Sequence, residues 1–179
     1  MNKLNRKLLF NNKKYFKKCN ILCIGDIILD HYIYGKVHRM SPEAPIPILL
    51  FEKENYQLGG VANVAKNLSS LGAKCSLVSF SGNDISSKRI NKLIYKDKNI
   101  IQTKVKLAGY ETPIKTRYIN QLDHLVRVDK EKTNFKLDNK NRKNLIEKIE
   151  RQIKKYDLIL LSDYSKGLLD KELIKKIVK

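Results

Sequence analysis

Short apolar runs alternate along the chain with segments of helical periodicity. Three runs, each followed by small polar residues, are typical of strands buried on both faces of a sheet: 21–24, 75–80 and 157–161. Between the first two runs, Ala62, Ala65, Leu68 and Leu71 recur at intervals of three and predict a helix that Gly72 ends. More polar helices are predicted at about 85–96, at 138–154 and from 170 onwards. This alternation favours an α/β fold around a parallel sheet.

Two groups of segments do not fit that alternation. Residues 27–34 and 48–53 resemble strands, and three prolines within 41–47 require an extended loop or a sheet edge between them. A second group has alternating patterns rich in Thr, Val, Ile and Tyr, at 100–106, 114–119 and 124–129. The second group predicts a small antiparallel sheet with one exposed face. We expect a lid built from segments of about 32–53 and 100–129.

Composition limits the size and the compartment. With 179 residues, 42% of them hydrophobic and 31% charged, the chain is one globular domain or part of one. Residues 1–19 form a basic lead-in that is predicted to be an amphipathic helix. This interpretation is preferred to a signal peptide because the apolar block is too short for one. No membrane span is expected. The three cysteines lie in or beside apolar runs without zinc-ligand spacing, which predicts reduced thiols in a cytoplasmic protein and no metal site.

The charge is strongly positive, with 37 Lys and Arg against 18 Asp and Glu. A nucleic-acid partner is the obvious hypothesis for such a chain. However, 30 of the basic residues are lysines spread over the whole length, whereas arginine is preferred for bidentate phosphate and base recognition. Because Lys, Asn and Ile have AT-rich codons, genome composition accounts for this surface. Nucleic-acid binding is therefore the least favoured function for this chain.

Acidic residues follow each of the predicted buried strands. In an open parallel sheet, ligands bind beyond the carboxyl ends of the strands, where Asp26, Asp84 and Asp163 lie. A carboxylate there can accept hydrogen bonds from sugar hydroxyls, and Lys166 can meet a phosphate as a point charge. The alternative is that these three carboxylates only cap the helices that follow. The sequence leaves both interpretations open.

A glycine pair at the start of the first predicted helix is a second candidate. Gly59 and Gly60 would let a ligand approach the backbone closely, next to free N–H groups at the helix N-terminus. Asn63, on the first turn, can add a hydrogen bond to a hydroxyl. A plain capped turn is the alternative, and the spacing of a dinucleotide fingerprint is absent.

Four ordered segments together resemble a known family. They are residues 25–32, 39–47, 59–65 and 161–167. Together with Gly72 and Gly82 they resemble the ribokinase-like (PfkB) sugar kinases. They are similar in particular to the kinase domain of the bifunctional heptose-7-phosphate kinase/heptose-1-phosphate adenylyltransferases. The Ser-Pro-Glu-Ala-Pro block at 41–45 is the most specific element, and the resemblance covers 20–179.

That resemblance implies a ribokinase-like parallel sheet flanked by helices, incomplete here, with a small antiparallel β lid. It implies transfer of the γ-phosphoryl group of ATP, with Mg²⁺, to a sugar hydroxyl, with a sugar phosphate as substrate. By position, Asp30 would bind sugar hydroxyls, while Gly59, Gly60 and Asn63 would form the substrate-binding glycine turn. Asp163 would face the substrate, and Lys166 would bind its phosphate.

Two departures from the family pattern qualify this assignment. Val61 replaces the small residue usual after the glycine pair, and its branched side chain could crowd the turn or a ligand. The family's Gly-Ala-Gly-Asp string, which supplies the catalytic base and the anion hole, does not occur. We therefore expect the N-terminal part of a kinase domain, inactive alone, from a gene fragment, a split gene or a degenerate remnant. Its partner would be a second copy bound through the lid or a complementing C-terminal chain, and a non-catalytic interaction module is the alternative.

Overall fold

The computed structural model describes residues 14–107, 109–132, 135 and 137–178. In chain order its elements are β1 (Asn20–Gly25), β2 (Ile27–Met40), β3 (Pro47–Gly60), α1 (Val61–Ser70), β4 (Lys74–Ser81), α2 (Ile85–Tyr95), β5 (Ile100–Lys106), β6 (Ile114–Asn120), β7 (Asp123–Lys130), α3 (Asn139–Glu150), a 3₁₀ turn (Ile153–Lys155), β8 (Leu158–Ser162) and α4 (Lys171–Val178). Of the predicted lead-in, residues 1–13 lie outside the described part, so its helix stays a prediction. None of the described helices has the length and apolar composition needed to cross a membrane.

The main sheet has the order β5-β4-β1-β8, and all its strands are parallel. Alternate residues of β1 point into two separate cores. Ile21 and Cys23 pack in a core with buried residues of α1 and α2. Leu22 and Ile24 pack in a second core with buried residues of α3 and α4. The prediction of a parallel α/β sheet flanked by helices is confirmed, because only helices on both faces make both sets of side chains buried.

The second sheet has the order β3-β2-β6-β7, and it corrects the predicted lid in two respects. First, it is mixed, because β2 pairs antiparallel with β3 but parallel with β6. Second, the segment 100–106 is not part of it: that segment is β5, which pairs in parallel with β4 at the edge of the main sheet. An edge strand has one covered and one exposed face, and Ile101 on β5 is 68% exposed. The alternating pattern of such a strand cannot be told from that of a lid strand.

One face of the lid sheet packs against α2 through an aromatic stack. The rings of His31 and Tyr56 are stacked with centroids 4.1 Å apart, and the guanidinium of Arg89 lies 3.8 Å from the Tyr56 ring centroid. Glu54 lies within hydrogen-bond distance of both rings' polar atoms, at 2.8 Å from His31 Nε2 and 3.0 Å from the Tyr56 hydroxyl. Since Arg89 belongs to α2, this stack fixes the lid against the helix layer.

Candidate functional site

The glycine turn joins the lid to the first helix of the main domain. Gly60 ends β3 with φ 57° and ψ −140°, a conformation that side chains with a Cβ avoid. A Cβ at Gly60 would also press against the carbonyl oxygen of Asp26, and that oxygen accepts a hydrogen bond of 2.9 Å from the Val61 N–H. The Val61 side chain is fully buried in the core beside Ala62, so the departure from the family pattern is accommodated inside the fold.

Asp30 lies on β2, directly beside this turn. A Cβ built on Gly59 would come within 2.5 Å of Asp30 Oδ2, so the missing side chain at Gly59 leaves the space that the carboxylate needs. The other oxygen, Oδ1, accepts a hydrogen bond of 2.6 Å from the Arg117 guanidinium on β6. Both side chains are 17% exposed, which makes this a partly desolvated ion pair that a ligand can still reach. The structure therefore brings Asp30 and the glycine turn together.

The surface around Asp30 continues as a polar lid face, formed by Asp30, Tyr32, Lys115, Arg117 and Asp129. The register places Asp30 beside Lys115 and Tyr32 beside Arg117, and the Arg117 guanidinium lies 5.1 Å from the Tyr32 ring centroid. Asp129 accepts a hydrogen bond of 2.7 Å from Lys115. Burial opposes the charge of Asp129, but bonding to Lys115 and the nearby Arg127 lower its pKa overall. Carboxylates, cations and an aromatic ring on one surface suit a phosphorylated sugar.

Arg117 and Lys115 are functional candidates that the sequence reasoning missed. A signal was present, because in the segment 114–120 they are two positions apart and so share one face of a strand. What the sequence could not supply was the parallel pairing of β6 with β2, which brings that face to Asp30.

Asp26 neither caps the following helix nor faces a ligand, the two roles that the sequence left open, but anchors a loop. The residue is 2% exposed, and its carboxylate accepts backbone hydrogen bonds from Tyr164 (2.9 Å), Lys166 (3.0 Å) and Leu168 (3.3 Å). Burial raises the pKa of this carboxyl, and the three N–H groups only partly offset that effect. Asp26 thus anchors the loop after β8, while its carbonyl oxygen holds the start of α1.

Asp84 has the capping role that was one of its two interpretations. Its Oδ1 accepts a hydrogen bond of 2.8 Å from the Ser87 N–H in the first turn of α2. Its Oδ2 accepts another of 2.8 Å from the Thr112 N–H, and the Thr112 hydroxyl in turn accepts one of 2.9 Å from Gly82 N–H. These contacts tie the end of β4 to the segment that enters the lid.

The remaining predicted site residues divide by their contacts. Asn63 is exposed on the first turn of α1, on the helix that begins at the glycine turn. Asp163 is exposed and accepts a hydrogen bond of 2.8 Å from Ser165 N–H within its own loop. The ammonium of Lys166 lies 2.6 Å from Glu131 Oε1, with both side chains 17% exposed. The charge of Lys166 is therefore already balanced by a neighbour, which weakens its assignment to a substrate phosphate.

Comparison of sequences finds relatives but no matching family model. The chain is 45% identical over 159 residues to the bifunctional protein HldE of Helicobacter pylori, a match covering 88% of this chain and 34% of that protein. It is 40% identical over 149 residues to the protein of the same name from Paramagnetospirillum magneticum, covering 83% of this chain and 30% of the relative. The chain thus spans about a third of the length of the curated relatives it matches.

Two solved structures that superpose on this chain are a phosphofructokinase and a carbohydrate kinase. Phosphofructokinase-2 of Escherichia coli, solved with fructose-6-phosphate, superposes with a TM-score of 0.61 at 14% identity, over 89% of this chain and 50% of that one. A carbohydrate kinase from Agrobacterium tumefaciens gives a TM-score of 0.59 at 16% identity, over 80% and 45% of the two chains. The parallel sheet with its β lid is therefore the ribokinase-like carbohydrate kinase fold.

Within that class of fold, the sequence matches give a narrower relationship. This chain is a relative of the N-terminal part of the bifunctional HldE proteins, at 37–45% identity over about 88% of its length.

Proposed function

We propose that this chain binds a sugar phosphate, D-glycero-D-manno-heptose 7-phosphate, as the N-terminal part of an ATP-dependent kinase that phosphorylates its 1-position. The observation that carries the proposal is the contact between the Asp30 carboxylate and the side-chain-free Gly59, where the lid leaves the main sheet. The identity of the sugar rests on the relationship to the HldE proteins. The corresponding reaction belongs to the synthesis of ADP-heptose for lipopolysaccharide and takes place in the cytoplasm.

Each proposed site residue has a role that its position supports. The free lone pairs of Asp30 accept hydrogen bonds from sugar hydroxyls, since a carboxylate can accept from two donors at once. Gly59 and Gly60 let the sugar approach the backbone. The first turn of α1 has no side-chain cap, so its N–H groups after Val61 can meet the ligand. Asn63 adds a side-chain amide on that turn. Asp163, exposed in the loop after β8, stays a prediction from the family resemblance. Lys166 stays a weaker prediction for the phosphate because Glu131 holds it.

The ATP and Mg²⁺ of the proposed reaction do not fit the residues that the structure describes. Phosphoryl transfer depends on groups that position and stabilise the moving phosphoryl group. The Gly-Ala-Gly-Asp string is absent from the 179 residues, and across the described residues no cluster of three or more His, Cys, Asp or Glu side chains could hold a metal ion. We therefore assign no catalytic step to this chain, and its part in the reaction is to bind and orient the sugar.

Titration calorimetry of the 179-residue chain with heptose 7-phosphate tests the proposal. Asp30→Ala and Asn63→Ala should each weaken binding by about 1–3 kcal/mol, the range for lost hydrogen bonds to a ligand. Asn67→Ala is the matched control, because Asn67 is exposed on the same helix one turn further on, and it should bind like the parent. Equal affinity in all three variants, or no binding by the parent chain, would refute the assignment.

A second candidate function, an interaction module, is favoured by apolar side chains exposed on the lid. Leu50, Phe51, Val126 and Val128 are between 51% and 62% exposed on β3 and β7. β3 and β7 are the two edge strands of the lid sheet, and an open strand edge can pair with a strand of another protein. The partner we propose is a second copy of this chain or a complementing C-terminal chain. Sedimentation equilibrium separates the two functions, because self-association without heptose 7-phosphate binding would favour the interaction module alone.

A further inference from the structure

The carboxylate proposed to bind the sugar is not free when the site is empty. Asp30 Oδ1 accepts a hydrogen bond of 2.6 Å from Arg117 Nη1, which also lies 3.4 Å from the carbonyl oxygen of Lys115. Both charged side chains are 17% exposed, so each has lost much of its water and depends on the other for compensation. A ligand that draws Asp30 away from Arg117 leaves a partly buried guanidinium without an anion.

The other cation of the polar lid face, Lys115, does not share this situation. It pairs with Asp129 at 2.7 Å, as the neighbouring Arg127 does at 2.9 Å, and Asp129 has no contact with the glycine turn among the described residues. A ligand at Asp30 leaves those pairs intact. Arg117 is therefore the cation of this face that is paired with a carboxylate proposed to bind the sugar. Its guanidinium lies beside the Tyr32 ring, which keeps it at the site.

We propose that Arg117 makes the site selective for phosphorylated over neutral sugars, because the phosphate of the substrate replaces Asp30 as the anion bound to Arg117. A phosphate pairs with a guanidinium through two parallel hydrogen bonds, so the exchange keeps Arg117 paired while it frees Asp30 for the hydroxyls. A neutral sugar can only compete with Arg117 for the carboxylate. This inference rests on the proposed function, since it requires that Asp30 binds the sugar.

The exchange predicts a dependence on phosphate that can be measured without any mutation. The parent chain should bind heptose 7-phosphate roughly 10- to 100-fold more tightly than the same heptose without phosphate, the factor expected when a desolvated charge keeps or loses its partner. Inorganic phosphate should tighten the binding of the unphosphorylated heptose, because it supplies the anion separately, and by reciprocity heptose should tighten the binding of phosphate. Direct competition between the two would contradict the exchange.

The Arg117→Gln variant tests the residue itself by calorimetry with both sugars. It should weaken heptose 7-phosphate binding and strengthen binding of the neutral heptose, so that the ratio of the two dissociation constants falls at least about tenfold. The matched control is Lys36→Gln, which removes one positive charge from an exposed pair with Glu52 on the same sheet. The control should keep the parent's ratio, since Lys36 does not contact Asp30.

The outcomes separate this inference from the proposed function. If the parent binds neither sugar, both fail. If the parent binds heptose 7-phosphate but Arg117→Gln keeps the parent's ratio, the selectivity role of Arg117 is refuted while the binding site stands. If Arg117→Gln does not fold, as judged by circular dichroism, the phosphate experiment on the parent decides: tighter heptose binding supports the exchange, and unchanged or weaker binding overturns it.

Discussion

Replacing Gly60 by alanine should destabilise the chain more than a glycine-to-alanine change at any open turn. Gly60 has a positive φ of 57°, and for a residue with a Cβ this backbone costs about 1–3 kcal/mol. In addition, the new Cβ would meet the carbonyl oxygen of Asp26, which must move away. That movement stretches its hydrogen bond to the Val61 N–H, worth about 0.5–1.5 kcal/mol. The two effects together give a loss of about 1.5–4.5 kcal/mol.

Gly109→Ala is the control that separates the two effects. Gly109 also has a positive φ, of 70°, but a Cβ there would find no atom within 4 Å. It should therefore cost only the backbone part, about 1–3 kcal/mol. The difference between the two variants, about 0.5–1.5 kcal/mol, measures the contact between Gly60 and Asp26.

Urea denaturation followed by circular dichroism gives the free energies of unfolding of the parent and both variants. In thermal melts, the Gly60→Ala midpoint should lie roughly 10 °C below that of the parent, given about 2–4 °C per kcal/mol for a chain of this size. If Gly60→Ala costs no more than Gly109→Ala, the close approach to the Asp26 carbonyl does not constrain the residue at position 60, and glycine is needed there for its backbone angles alone.

Two further predictions concern Asp26 and the lid stack. Burial raises the pKa of Asp26, so the folded chain binds the carboxyl proton more tightly than the unfolded chain does. The contribution of this carboxyl to the free energy of unfolding therefore falls as the pH rises from the usual carboxyl pKa to the raised one. The free energy of unfolding of the parent minus that of Asp26→Asn, from urea denaturation, should decline as the pH is raised from about 4. A difference that rises with pH would contradict the reasoning. Arg89→Gln should cost about 1 kcal/mol through the lost cation–π contact with Tyr56. In a double-mutant cycle with Tyr56→Leu, a coupling energy of zero would show that the contact contributes nothing.

The main sheet could be predicted from the sequence because its strands carry an unambiguous signal. Runs such as 21–24 are apolar at every position, and only a strand with helices on both faces buries both sets of side chains. The lid could be predicted in part. Its strands have alternating patterns, but alternation states only that one face is exposed and says nothing about which sheet a strand joins. For this reason the prediction that the segment 100–106 belongs to the lid is wrong.

The candidate site shows the same division between local and long-range information. Gly59, Gly60 and Asn63 are recognisable because their roles depend on a turn and a helix start, both local in sequence. The partner of Asp30 was not predictable, because Arg117 is 87 positions away and reaches it only through the parallel pairing of β2 with β6. Likewise, the three N–H groups that bind Asp26 follow β8, about 140 positions later, and no pattern in the sequence links them to it.

The position of β1 also has a consequence for how the chain folds during synthesis. β1 lies between β4 and β8, and the pair formed by Asn20 and Asp157 joins residues 137 positions apart. A ribosome adding about 5–20 residues per second needs about 7–27 s to make that stretch. For this time β1 has one neighbour at most, and its second edge is an unpaired template for strands of other nascent chains. Slower translation would lengthen this period, so the yield of monomeric chain should fall when synthesis is slowed.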